Sequence, residues 1–390
     1  MGRRPHIDQS VAAVWLRSVT LSCLVWGGFA AGSAFAVEIP ADQVITLAGT
    51  GKPGMVEARS PALETPLNQP FGLAIGPDGK LYVCETANHI ISRIDLRFGT
   101  SEPATIERVV GSGKPGVTGE GGPALMASCH EPYEVRFDAE GNLYEVEMKG
   151  HVVRMVAAKT GTISRIAGTG EAGYAAEEDG GPAVKARLNV PHAIMLRNGR
   201  LYIADIGNHR VRAVDLKTGV ISTVAGTGKK GPVLDGGPVA GTDFSGPRAI
   251  DFDHEGRLLL ALREGNALHR IDFAASPASY VRLAGTGKPG YSGDGGAATK
   301  ALLNGPKGIA VARNGDIYLA DTEAHAIRVV RSADGRIETV VGDGKAGDGP
   351  DGAPRACRLN RPHGVFVDAS NILYIGDSSN HKVRAMRLSR

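Results

Sequence analysis

The chain is poor in cysteine, in aromatics and in clustered basic charge, and each shortage excludes something. It has four cysteines in 390 residues. Cys23 lies in an apolar N-terminal stretch, which leaves Cys84, Cys129 and Cys357 for the rest. An odd number of thiols does not make a disulfide framework. Each of the three replaces a small or apolar residue of a repeated pattern, so buried free thiols are expected. No CxxC, HExxH or EF-hand spacing occurs, which removes the strong metal and redox signatures. Past residue 36 no run of Lys and Arg exceeds two. The formal charge of +3 falls to about +1 without Arg3, Arg4, Arg17 and Asp8. A nucleic-acid partner would need a concentrated basic patch, so none is expected. Aromatics make up 5% of the chain while glycine supplies 54 residues, a balance that favours many tight turns over long helices.

The one long apolar stretch, SVTLSCLVWGGFAAGSAFA, follows a basic start and ends in the small-x-small sequence Ala34-Phe35-Ala36. This predicts an export leader over 1–36 with cleavage after Ala36, and a secreted or periplasmic protein over 37–390. The stretch is short and broken by glycine for a membrane anchor, so no span is expected after cleavage.

Internal repetition decides the fold. Six copies of nearly the same pattern, an aligned proline followed three residues later by Ile, Leu or Val and in most copies preceded by Asn two residues earlier, have prolines at Pro70, Pro132, Pro191, Pro247, Pro306 and Pro362, spaced 62, 59, 56, 59 and 56 residues apart. Behind each proline come short β-branched runs punctuated by turn residues. In the third copy these are HAIMLR, NGR, LYIADI, GNHR, VRAVDL, KTG and VISTVAGTG. Four antiparallel strands per unit, repeated radially, predict an all-β protein: a six-bladed β-propeller of four-stranded antiparallel blades. The last copy has three strands, and VITLAGTG (Val44–Gly51) is an unpaired fourth strand at the other end of the repeat array. If the N-terminal strand joins the last blade beside Val383–Leu388, the ring is closed and has no free edge.

LYIADIGNHRVRAVD, IYLADTEAHAIRVV and LYIGDSSNHKVRAM, with linkers such as AGTGKPGYSGDGGAATKALLNGP, resemble NHL repeats over about residues 44–390. The resemblance implies a propeller. In function it allows binding platforms, lyases and lactonases, because one fold hosts many activities.

In a propeller the first strand of each blade is innermost, so the residue after each aligned proline stands at the mouth of the central channel. These are Phe71, Tyr133, His192, Arg248, Lys307 and His363. Most are donors or cations, which suits a small anionic or carbohydrate-derived ligand. In the enzymatic version, a lyase or lactonase-type hydrolase, Arg248 and Lys307 hold the anion. His192 or His363 is the general base and Tyr133 or Glu131 the acid. The second strands end in Glu85, Glu147, Asp205, Leu262, Asp321 and Asp377; the resemblance implies a loop-fixing role for Asp205, Asp321 and Asp377, where the loop matches the repeat. The second copy, HEPYEVRF, departs from the pattern at His130, Glu131, Tyr133 and Glu134 and again at Glu145 and Glu147. The fourth has Leu262 where the others are acidic, followed by Arg263 and Glu264. Departures that add charge near the mouth point to ligand contact, so Glu131, Glu147, Arg263 and Glu264 join the candidates.

The Pro-His pairs at His192 and His363 resemble zinc-ligating pairs of a propeller lyase, with His130 as a third candidate ligand. They lie three blades apart. Lactonase-type propellers hold a divalent ion with Glu, Asn and Asp, for which Glu131 or Glu147 would serve. Zinc or calcium is therefore a candidate cofactor, although the Asp- and Gly-rich linkers read as turns and lack an ordered calcium loop. Arg328 reads as an outer-strand residue remote from the site. The protein is expected to be a monomer, with a small-molecule ligand as its partner; the alternative is a non-catalytic protein-interaction platform.

Overall fold

The computed structural model describes residues 39–97 and 102–389; the predicted leader lies outside them. Six antiparallel sheets follow one another along the chain. Their innermost strands are Pro70–Ile75, Pro132–Phe137, Pro191–Arg197, Pro247–Phe252, Pro306–Val311 and Val365–Val367. Blade three is typical: Pro191–Arg197 pairs with Arg200–Asp205, then Arg210–Asp215, then Ile221–Ala225. Blade one adds a two-residue outer strand, Ser60–Pro61. Among the described residues no helix is long and apolar enough to cross a membrane.

The ring closes as expected. Val44–Ala48 pairs with Lys382–Arg387, with Val44 opposite Met386 and Thr46 opposite Arg384. Alternation along each strand sends apolar side chains into the gaps between blades rather than into one central core. Each of the six apolar clusters joins neighbouring blades. At the seam Leu47, Tyr374 and Val383 of blade six pack with Leu73, Leu81 and Ile90 of blade one. Cys84, Cys129 and Cys357 are free and buried.

A hydrogen bond of one type repeats at every blade junction. The residue before each aligned proline adopts a left-handed conformation, with φ between 51° and 64° from Gln69 to Gly246. Its backbone N–H therefore points back at the preceding blade, where the loop between second and third strands offers an acceptor. His89 Nδ1 accepts from Glu131, His151 from Val190, His209 from Gly246, His325 from Arg361 and His381 from Gln69, at 3.0–3.4 Å. In blade four Asn266 Oδ1 accepts from Gly305 at 3.0 Å. The acceptor residues are left-handed too. Val190 is the costliest donor position, because a β-branched residue is disfavoured at positive φ by about 1–2 kcal/mol.

The proline position sets a second feature. In blades one to five the ladder between first and second strands shifts register at the residue after the proline. That residue is bulged out of the pairing, and a bulge re-aims its side chain. In blade six the ladder starts only at Val365.

Two outcomes follow from this architecture. Deleting residues 37–51 exposes the edge of Lys382–Arg387, and the truncated protein should aggregate or melt well below the parent in a thermal scan. A truncation that stays monomeric with an unchanged melting temperature would contradict the closure. The latch histidines must be neutral at Nδ1 to accept. Burial holds all five below the ordinary imidazole value of 6.5. A depressed folded-state value means their contribution is complete above that pH and is lost as pH falls below it. Asn at position 209, as in blade four, keeps an acceptor without a titrating proton. The urea-stability difference between wild type and His209→Asn should therefore shift against the wild type from pH 7.5 to pH 5; a pH-independent difference would contradict the latch.

Candidate functional site

The bulged residues converge on one end of the channel and build the floor and wall of a cup of about 350 Å³. Phe71 and His363 stack face to face, 4.0 Å between centroids. Tyr133 meets Phe71 edge-on at 5.0 Å and His192 at 4.5 Å. Below this layer the channel shrinks to about 20 Å³, lined by Gly72, Glu134, Ala249, Gly308 and Gly364 among others, room for about one water. Glycine closes it: a Cβ on Gly72 would lie 2.6 Å from Glu134 Cα, and one on Gly308 2.5 Å from the His363 carbonyl. The channel is thus a cup with a closed bottom.

Four cations line the cup: Arg248, Arg263, Lys307 and Arg361, with Glu131 the acidic residue of the lining. Their partners differ. Lys307 Nζ donates to Glu323 at 2.7 Å, and Arg361 binds the same carboxylate oxygen at 2.9 Å. Arg263 pairs with Glu264 at 2.5 Å. Arg248 is held by a neutral group: Nε and Nη2 donate to the Tyr133 hydroxyl at 3.1 and 2.8 Å, with the guanidinium carbon 4.9 Å from the ring centroid. Among the described residues no carboxylate lies within ion-pair distance of Arg248.

The imidazoles are neutral and weakly basic. His192 Nδ1 donates to the Val190 carbonyl at 2.6 Å, and His363 Nδ1 to the Arg361 carbonyl at 2.8 Å. Burial, reinforced by the charges of Arg248 and Lys307, holds both well below the usual histidine range. His363 Nε2 is left to accept from Lys307, 3.3 Å away. Burial brings the Lys307 amine down to about 8, against the pull of Glu323.

Of the sequence candidates, Arg248, Arg263, Lys307, His363 and Glu131 line the cup. Tyr133 supports Arg248 from the floor, and His192 lies beneath Tyr133. Glu264 turns to the far side of Arg263, where it borders a separate cavity. Glu147 and His130 are corrected. Glu147 is fully buried inside blade two, bound to Arg154 Nε at 2.5 Å and to the His130 backbone N–H at 2.5 Å. The same N–H to carboxylate bond is made by Asn189, Asn304 and Asn360 to Asp205, Asp321 and Asp377. The slot needs only a backbone N–H, so His130 can replace Asn; its ring meets His89 edge-on at 5.8 Å instead. Glu134 faces the constricted channel with Arg136, where burial pushes its carboxyl up to about 7. The charges of copy two are thus divided between the cup and the blade interior. Arg361, Thr86, Ser378 and Ser379 also line the cup, and sequence reasoning passed them over. Arg361 stands in the aligned slot before the proline, but only the left-handed turn there carries its side chain to the cup.

No His130–His192–His363 metal site forms: among the described residues the one trio of donors close enough is Cys129, Glu145 and Glu147. The Arg154 guanidinium already stands in that trio, 3.0 Å from Cys129 Sγ and 3.4 Å from Glu145, which does not suit a cation.

Arg328 is also corrected. It is fully buried, pairs with Asp321 and Asp294, and donates to the carbonyls of Leu302 and Ser292. Arg154, Arg212 and Arg384 occupy the same slot, each at most 1% exposed. Asp205, Asp321 and Asp377 therefore fix the loops as expected, with a buried Arg as counter-charge.

Two family models match the chain, one described as a teneurin NHL domain over residues 285–348 and one as an NHL repeat over residues 359–386. The chain is a six-bladed β-propeller whose matched segments resemble NHL repeats. It is 26% identical over 275 residues to the protein suppressor of quenching 1 of Arabidopsis thaliana, covering 68% of this chain and 26% of that one. It is 27% identical over 282 residues to NHL repeat-containing protein 2 of Bos taurus, covering 65% and 38%. The propeller therefore spans well under half the length of these relatives. Among solved structures, an auxiliary nutrient binding protein of Bacteroides thetaiotaomicron superposes with a TM-score of 0.64 at 17% identity, covering 88% of this chain and 75% of that one. A gluconolactonase of Xanthomonas campestris gives 0.54 at 14%, covering 92% of each. At these identities the superpositions establish the fold.

Removing a buried Arg leaves its acid unpaired in the interior, which costs about 3–5 kcal/mol. Arg328→Ala should lose stability on that scale in urea unfolding. Arg336→Ala, on the exposed surface, should lose almost none. Equal, small effects would contradict the internal ion-pair assignment.

Proposed function

We propose that the cup binds a small anionic ligand, a carboxylate-bearing or sugar-acid molecule, in a protein exported from the cytoplasm. The observation that carries this reading is Arg248. Its guanidinium is oriented by Tyr133 and has no carboxylate partner among the described residues, while the other three cations are neutralised in place. A planar fork fixed on a neutral hydroxyl is suited to a bidentate carboxylate. Ser379, partly exposed in the lining, suits a sugar hydroxyl. A nutrient-binding protein and a gluconolactonase share this fold, so the reading asks nothing foreign of the architecture. Binding is favoured over catalysis because the expected bases, His192 and His363, are weak and the His363 lone pair faces Lys307. A flat apolar platform is not favoured either: the cup is concave and charged, and the exposed large apolar side chains, such as Leu63, Met126, Leu234 and Phe273, do not line it.

Calorimetry against a panel of sugar acids, with and without chelator, tests the proposal. Losing a charged hydrogen bond costs roughly 1.5–3 kcal/mol, so Arg248→Ala should weaken the best ligand roughly ten- to a hundredfold while the melting temperature stays near wild type. Tyr133→Phe should weaken it less, by releasing the guanidinium, and Arg336→Ala not at all. Equal losses from Arg248→Ala and Arg336→Ala, or a ligand bound on the opposite face, would overturn the reading.

A further inference from the structure

Blade four breaks the internal ion-pair rule in both members. Leu262 ends its second strand where blades two, three, five and six have an acid, and His269 stands in the slot of their buried arginine. Elsewhere that arginine fills the space under the linker; Arg328, for example, binds linker carbonyls at 2.8 and 2.9 Å. An imidazole does not reach so far. A cavity of about 380 Å³ opens between the third strand and the linker segment 230–233, its floor formed by Leu262, Val233 and Ala267. His269 is 2% exposed and lines this cavity, and neither ring nitrogen has a hydrogen-bond partner among the described residues. Arg282, its cross-strand neighbour, also lines it, with a buried and unpartnered Nε.

The charge around the cavity is positive. Arg282 and Lys230 face it, and neither has an ion pair among the described residues. Glu264 borders it but is bound to Arg263. Asp235 accepts from the Arg282 backbone N–H at 2.8 Å and is not part of the lining. In the sister blades a carboxylate of the chain itself completes this network; in blade four both that carboxylate and the guanidinium it paired with are missing.

We propose that blade four holds a second ligand site, distinct from the cup, which takes a small aliphatic carboxylate between His269, Arg282 and Lys230. The carboxylate supplies from outside the negative charge that Leu262 removed. Its oxygens accept from Arg282 Nε and from the protonated nitrogen of the neutral imidazole, and its alkyl end lies against Leu262, Val233 and Ala267. An inorganic phosphate fits less well, because its remaining oxygens would lie on those apolar side chains without partners. The Arg263–Glu264 pair forms the wall between this cavity and the cup.

The probe is butyrate, with acetate and inorganic phosphate beside it, followed by calorimetry and by the ring resonances of His269, identified as those absent in His269→Gln. Butyrate should move the His269 resonances saturably and bind more tightly than acetate. Calorimetry is run in an Arg248→Ala background, which disables the cup, and butyrate binding should persist there, so failure here is separate from failure of the cup reading. The double variant Leu262→Asp, His269→Arg, added to that background, rebuilds the pair of the sister blades and fills the cavity; it should abolish the calorimetric response. If the double variant melts early, Arg282→Gln serves instead, with an expected loss of roughly tenfold. Unmoved His269 resonances, phosphate binding in preference to butyrate, or butyrate binding undiminished by these variants would each overturn the proposal.

Discussion

The ring depends on the latch between a backbone N–H before each proline and a His or Asn of the blade before it. Strands hydrogen-bond within blades, and apolar packing between blades is without direction. The latch is the directional contact that recurs at all six junctions, the seam between blades six and one included. It holds both of its residues in left-handed conformations that cost energy for most side chains. In blades one, five and six a Thr or Ser hydroxyl adds a second tie, bonding the proline carbonyl of the next blade at 2.7–2.8 Å. The proline supplies no N–H, the residue before it is turned into the latch, and the ladder restarts one residue late in most blades. The residue after the proline is thereby released from pairing and delivered to the channel.

That release explains why the slot varies so freely. A residue released from the ladder is constrained chiefly by its five counterparts around the mouth. Here the six form one unit: an aromatic and imidazole floor, with Arg248 and Lys307 set into it. The blade interiors are conservative for the opposite reason. A buried carboxylate must keep its arginine, its backbone N–H and its loop amide together, since losing one strands the others. Blade one answers with a neutral variant, Ser92 on Glu85, blade two with a doubled one, Glu145 and Glu147 sharing Arg154, and blade four by giving up both charges. The cavity in blade four is the spatial consequence.

Proline spacing, turn residues and β-branched runs were enough to specify six blades, the closing strand and the free thiols, because each follows from local chain preferences repeated in register. The same spacing put Tyr133, Arg248, Lys307 and His363 at the mouth, since strand order alone sets which end of a blade is innermost. Tertiary structure decided the rest. Arg328 looks like an outer-strand charge and Glu147 like a ligand contact at the mouth, and only the packing of linker over blade shows them to be buried partners. His363 looks like a base until Lys307 is found opposite its lone pair. Arg361 looks like a linker residue until the left-handed turn brings it to the cup. Which charges remain unpaired, and therefore which can meet a ligand, depends on distances between blades that no single repeat encodes.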